Sequence, residues 1–334
     1  MTTLAHHTFR PWRTRGDARI VAAEAAWKEP LKWEKRAQTA FIAARMAGEP
    51  APERPRVFCA SLADVFEDWQ GPITTASGRH ARKRFDGSWI TDGTGGITRD
   101  DFPLTMRDVR LRLFALIDAT PNLDWLILTK RPENIAKMMP AYHPCGRDGC
   151  EVLHVRPNLW LGTSVENQQA ADERIPHLLS VPAAVRFLSC EPLLEEVSLR
   201  RAVPCGECGY RDTENGYGCF NGNECEDETW IREAGLHWVI VGGESGHGAR
   251  PCNVEWIRSI RDQCRAAGVS CFVKQLGARP DSKMVPLQIA VDDWKDYPEI
   301  LTPLIDKKGG DMAEWPNDLR VREFPKVGSY TVTG

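Results

Sequence analysis

The stretch HWVIVGGESGHGARPCNVEWIRSIRDQCRAAGVSCFVKQLG, residues 237 to 277, contains one full repeat of a fold. Trp238 to Val241 is an unbroken β-branched and aromatic run, the pattern of a strand covered on both faces, and Cys271 to Val273 repeats it. Between the two, NVEWIRSIRDQCRAAG reads as an amphipathic helix. Asn253 stands at its N-cap, Glu255 in its first turn, Ile257, Ile260 and Cys264 on one stripe, and Gly268 as its stop. Strand, helix, strand is the repeating unit of a parallel sheet.

The same beat runs outward toward the N-terminus. RVFCASLAD (56 to 64), DWLILTKRPE (124 to 133), LWLGTSVEN (159 to 167) and VRFLSCEPL (185 to 193) each hold a short β-branched or aromatic run that ends in polar residues. Six such strands exceed a mononucleotide-binding half, and no G-x-G-x-x-G follows the first of them. The pattern therefore predicts an α/β chain folded as a TIM-like (β/α) barrel, complete or partial, rather than a doubly wound sheet. Residues 1 to 334 form one such domain with two excursions: a Gly-, Thr- and Asp-rich loop at 70 to 103 and a cysteine-rich piece at 200 to 230. The closing segment KGGDMAEWPNDLRVREFP is expected to pack as a tail anchored by Trp315, Leu319, Val321 and Phe324.

With 334 residues, 42% of them hydrophobic, the chain can build one large core or two ordinary ones. No apolar run approaches the roughly 18 residues of a membrane span. A net charge of −3 gives no whole-chain case for nucleic acid. One local basic run, RHARKRF at 79 to 85, could meet phosphates but reads better as a solvated loop. Trp12, Trp27 and Trp33 are expected to pack rather than stack on bases. The absence of a signal-peptide pattern and the odd number of cysteines, 11, point to a reducing cytoplasm.

Four of those cysteines lie in PCGECGYRDTENGYGCFNGNEC, residues 204 to 225. Cys205-x2-Cys208, followed by Cys219 and Cys225, suits a thiolate knuckle closed by a second pair around tetrahedral Zn²⁺, ahead of free thiols or disulfides. A weaker group is His143, Cys145, Cys150 and His154, whose Cys-x4-Cys spacing is unspecific. Neither group leaves an open metal position beside a candidate base, which argues against a zinc hydrolase.

Barrel active sites gather where strands run into loops at the C-terminal edge. Here that edge would carry Ser61 and Asp64, Lys130 and Arg131, Ser164 and Glu166, Glu191, Glu244 and Ser245, and Lys274 and Gln275. Carboxylates and cations facing one mouth are costly to desolvate unless they pair or serve a ligand, so the choice lies between a salt-bridge ring and a site. In VGGESGHGARP the glycines Gly242, Gly243, Gly246 and Gly248, with Arg250, could cradle an anion or simply make a tight turn.

The Trp27 to Trp33 segment, LTKRPE, LGTSVENQQAADERIP, AAVRFLSCEPLL, VIVGGESGHGARP, DQCRAAGVSCFVKQLG and EWPNDLRVREFP together resemble the phage and prophage family named after phage gene products 37 and 68. That resemblance covers most of the chain outside the two excursions. It implies a barrel related to radical S-adenosylmethionine enzymes, with a three-cysteine loop for a [4Fe–4S] cluster near the start. This chain departs there: its first cysteine is Cys59, so the N-terminal strand and its cluster loop are expected to be missing.

The sequence thus supports an enzyme or the remnant of one, a radical-SAM-like barrel without its cluster. Its mouth would bind a polar or anionic substrate, with Lys130, Arg131 and Lys274 holding negative charge and Glu191 and Glu244 taking amines or hydroxyls or moving protons. Its rival is a non-catalytic module in which a zinc knuckle and the basic run grip nucleic acid.

Overall fold

The structure is a computed structural model that describes residues 6–15, 18–59, 63–91, 101–142, 155–203, 230–281 and 304–325. It is mixed α/β and divides into two compact units, the first made of residues 3–161 with 182–184, the second of 162–181 with 185–334.

The first unit begins with a strand that the sequence reading placed outside the chain. β1 (His7–Phe9) lies parallel to β4 (Arg56–Cys59) in the register His7 to Val57. The expected loss of the N-terminal strand is therefore corrected. The strand is present, but three residues beginning with histidine carry too little apolar pattern to announce it. Only Arg10 and Pro11 separate β1 from an antiparallel hairpin, β2 (Trp12–Arg15) and β3 (Ala18–Val21), where the resemblance placed a cysteine loop. Helix α1 (Glu24–Ala47) follows and stops at Gly48, whose φ of 70° makes the left-handed cap that glycine adopts without penalty.

Between β4 and α2 (Met106–Asp118) the expected loop carries four two-residue strands: β5 (Ile73–Thr74), β6 (Arg82–Lys83), β7 (Trp89–Ile90) and β8 (Phe102–Pro103). The last three pair in the order β7-β6-β8, so the basic run at 79 to 85 contributes the two-residue strand β6 while Arg79, His80 and Phe85 stay exposed. Arg112 of α2 lies between the rings of Trp27 and Trp89, at 4.5 and 4.4 Å, and forks onto Glu24 at 2.6 Å. Trp12 and Trp27 are buried and Trp33 stacks flat on His7 at 4.1 Å, so all three pack as expected. β9 (Asp124–Thr129), α3 (Ile135–Met138) and the first half of β10 (Leu159–Ser164) complete the unit.

The second unit takes the end of β10, α4 (Gln168–Leu179), β11 (Val185–Cys190), α5 (Leu199–Ala202), α6 (Trp230–Glu233), β12 (Trp238–Gly242), β13 (Cys252–Asn253), α7 (Val254–Ala266), β14 (Ser270–Gln275) and β15 (Pro280–Asp281). The helix read from the sequence is found as drawn. Asn253 Oδ1 accepts from Glu255 N–H at 3.0 Å, Ile257, Ile260 and Cys264 are buried, and Gly268 follows the end with φ 64°. Beyond β14 the tail caps the outer ladder position: Val273 N–H donates to Val321 at 2.9 Å and Glu323 N–H to Cys271 at 2.8 Å. Trp315 and Leu319 are buried, and Phe324 packs on Trp238 and Phe272.

The seven long-range parallel strands pair in the order β1-β4-β9-β10-β11-β12-β14. Each crossover moves one place in the same direction, without the reversal that defines a doubly wound sheet, and this is the strand order of a barrel. The ladder has seven strands and ends at β1 and β14, so the barrel-like order is present without a closed eight-strand ring among the described residues. None of the described helices is long and apolar enough to cross a membrane.

Candidate functional site

In the second unit, Glu191 and Lys274 come from strands that are not neighbours. β12 lies between β11 and β14. Cys190 is opposite Val241 and Val241 opposite Val273, but the next pair is Gly242 with Gln275, which leaves Lys274 as the extra residue of a β-bulge. A bulge turns its side chain away from the regular alternation of the strand. The intervening strand ends in Gly242–Gly243, with no side chain to stand in the way. Lys274 Nζ consequently reaches both carboxylate oxygens of Glu191, at 2.9 and 2.7 Å, with the lysine side chain 40% exposed and the glutamate 17%.

The glycine-rich turn closes on an anion of its own. Gly246 (φ 102°) and Gly248 (φ 77°) bring the chain back so that Arg250 faces Glu244. Arg250 donates from its backbone N–H at 2.9 Å, from Nε at 2.7 Å and from Nη2 at 3.0 Å. These bonds hold the Glu244 carboxyl down to about 2. The cradle anticipated for an external anion is thus filled by the protein's own carboxylate, and Ser245 lies exposed on the turn. Beneath it, Gln275 Nε2 donates to Gly243 O at 2.9 Å.

A third pair stands at the end of β10. Arg174 of α4 donates through Nη1 to Glu166 Oε2 at 2.6 Å and to the carbonyl of Ser164 at 2.8 Å. After β11 the chain runs over the neighbouring strand ends, with Leu193 N–H donating to Gly242 O and Leu194 N–H to Glu166 O, both at 2.9 Å. Glu166 also adds to the field that keeps Arg250 protonated. Glu191, Lys274, Glu244, Arg250, Ser164, Glu166 and Gln275 are therefore all held at C-terminal strand ends of one unit. Arg174 escaped the sequence reading because it sits inside the polar side of a helix, eight residues after its partner.

The remaining expected strand-end residues, Ser61, Asp64, Lys130 and Arg131, fall in the span of the first unit. Asp64 Oδ1 accepts from Thr129 Oγ1 at 2.6 Å and Phe66 N–H at 3.0 Å, while Oδ2 accepts from Lys130 N–H at 2.9 Å and Arg131 Nη1 at 3.1 Å. Its acceptor positions are spent on tying the end of β9 to the loop after β4. Thr129, which the sequence reading passed over as the last residue of an apolar run, is part of this knot. Lys130 and Arg131 present their side chains at the surface. Ser61 lies outside the described residues, as do Cys205, Cys208, Cys219, Cys225 and the His143 to His154 group.

Cys59, Cys190, Cys252, Cys264 and Cys271 are all buried. Burial pushes the Cys252 thiol up to about 12 and raises those of Cys59 and Cys190 as well. No three His, Cys, Asp or Glu residues among those described come together as a metal site. The short connection after β1, Arg10 and Pro11, carries no cysteine.

No curated protein and no solved structure matches the chain. A family model described as a protein of unknown function, DUF5131, matches residues 100–310. That span takes in more than half of the chain, and the protein belongs to this family, DUF5131.

Proposed function

We propose that the strand ends of the second unit bind a small ligand carrying an anionic group, and that a ligand amine or hydroxyl adds to its affinity. The observation that carries this reading is the bulge at Lys274, which aims a partly exposed lysine side chain across two glycines at Glu191. A pair sealed in the core cannot be opened without stranding a buried charge, whereas an accessible pair can exchange partners. An incoming carboxylate or phosphate takes the ammonium of Lys274, and Glu191, released, takes a ligand cation or hydroxyl proton. Glu166 with Arg174 and Glu244 with Arg250 keep their own pairs and supply a polar rim. Glu191 is the group in reach of a bound ligand that can move a proton.

The test is calorimetric titration of the whole chain with inorganic phosphate, pyrophosphate and simple α-amino acids, beside Lys274→Met. At least one probe should bind at millimolar concentration or below, and the variant should lose about tenfold or more in affinity, the scale of one charge-assisted contact. Absence of binding by every probe, or equal binding by Lys274→Met, overturns the proposal.

A further inference from the structure

The turn joining β6 to β7 holds the most exposed aromatic side chain of the described residues: Phe85 is 90% exposed. Nothing in the turn needs it. Gly87 N–H donates to Arg84 O at 3.0 Å, Arg84 N–H to Ser88 O at 2.8 Å, and Ser88 N–H to Asp86 Oδ1 at 2.8 Å, with Gly87 at φ 81°. The hydrogen bonds come from the backbone and Asp86, and the left-handed position is filled by glycine. Any residue would serve where Phe85 stands, so its ring is surplus to the local fold and lies in water.

The surroundings of that ring are cationic. Between residues 79 and 91 the chain carries Arg79, Arg82, Lys83 and Arg84 against a single acid, Asp86. The base of the hairpin is fixed: Lys83 pairs with Asp108 of α2 at 2.5 Å and Arg82 donates to the carbonyl of Asp101 at 3.2 Å. On the same small sheet Phe102, opposite Lys83, is 50% exposed. A firmly based hairpin thus presents a free aromatic face at its tip with positive charge on the strand behind it.

A flat apolar face amid cations matches a partner that alternates flat rings with anions. We propose that the β6–β7 hairpin is a contact site for single-stranded nucleic acid, with a base stacked on Phe85 and adjoining phosphates drawn to Arg84 and the basic residues behind it. A duplex hides its base faces and offers only the phosphates. A lipid surface rewards several apolar groups acting together, and the tip carries one, next to an acid.

Fluorescence anisotropy of a labelled oligothymidylate with the full chain tests this. The parent should bind at low ionic strength and weaken as salt rises. Phe85→Ala should weaken binding about 5- to 100-fold, while Phe85→Trp retains it. Arg84→Gln should reduce the slope of log affinity against log salt by about one phosphate contact. Matching thermal unfolding of parent and Phe85→Ala keeps a folding defect out of the comparison. Failure of the parent to bind overturns the proposal, as does a Phe85→Ala variant that binds within about twofold of it, which is adsorption without stacking. So does binding, dependent on Phe85, to vesicles of anionic phospholipid when the oligonucleotide is not bound.

Discussion

His237 and Arg186 clasp each other where two parallel strands begin. His237 N–H donates to the Arg186 carbonyl at 3.0 Å, and Arg186 N–H donates back to Nδ1 of the imidazole at 3.0 Å. His6 and Arg56 repeat the arrangement at the start of β1 and β4, at 2.9 and 3.0 Å. A side-chain nitrogen thus completes the ladder at a strand start that would otherwise leave an N–H unpaired. It accepts only while the ring is neutral.

Burial, then the nearby Arg186 charge, lowers the His237 imidazole to about 4, and burial also lowers His6. A folded value below the unfolded one means that the unfolded chain binds more protons between the two. The contribution of His237 is therefore complete above about pH 6.5 and is lost as pH falls toward 4, with a slope of at most about 1.4 kcal/mol per pH unit. Urea unfolding at several pH values should show this slope in the parent. His237→Asn keeps an acceptor near the place of Nδ1 and cannot take up a proton, so the slope should shrink in that variant. An unchanged profile would mean that other groups govern the acid limb.

Gly277 and Gly48 both have positive φ, 91° and 70°, yet they should respond differently to alanine. A Cβ at Gly48 would meet nothing within 4 Å, so only the left-handed conformation is penalised, by about 1 kcal/mol. At Gly277 the added carbon would sit 2.9 Å from the backbone of Gly243, which cannot swing aside. Gly277→Ala should cost about 3 kcal/mol or more, visible in urea unfolding beside Gly48→Ala.

Asp64→Asn should also destabilise the first unit, by about 1 to 3 kcal/mol. The amide would present N–H groups where a carboxylate oxygen now accepts from Lys130 N–H and Arg131. Denaturant unfolding measures the loss. An unchanged midpoint would free Asp64 for the ligand role that its position at a strand end first suggested.

What the sequence disclosed follows from which forces are local. The runs at 124 to 129, 159 to 164 and 238 to 242 are apolar because both faces of their strands are covered, and α7 shows its cap, stripe and stop in consecutive letters. β1 escaped because three residues are too few for a pattern. The bulge at Lys274 is a property of pairing between two strands and has no signature in either one. Glu191, Glu244 and Lys274 lie at the C-terminal ends of β11, β12 and β14, where the strand pattern placed them. Their partners were not legible, because whether Glu244 faces an external anion or Arg250 depends on how two glycines turn the chain between them.

The Glu191 and Lys274 pair separates a ligand site from a structural brace by its energetics. A bridge sealed in the core strands a buried charge when one partner is removed and costs about 3 to 5 kcal/mol. Here the lysine side chain is 40% exposed and the glutamate 17%, so neither charge is sealed from water once its partner is gone. Lys274→Met and Glu191→Gln should each cost about 1 kcal/mol or less, with a coupling of about 0.5 to 1 kcal/mol in the double-mutant cycle. Urea unfolding of the parent, the two single variants and the double variant gives all four corners. Losses of several kcal/mol in both single variants would make the pair a brace that the fold cannot open, and Lys274 could then no longer be released to an incoming anion.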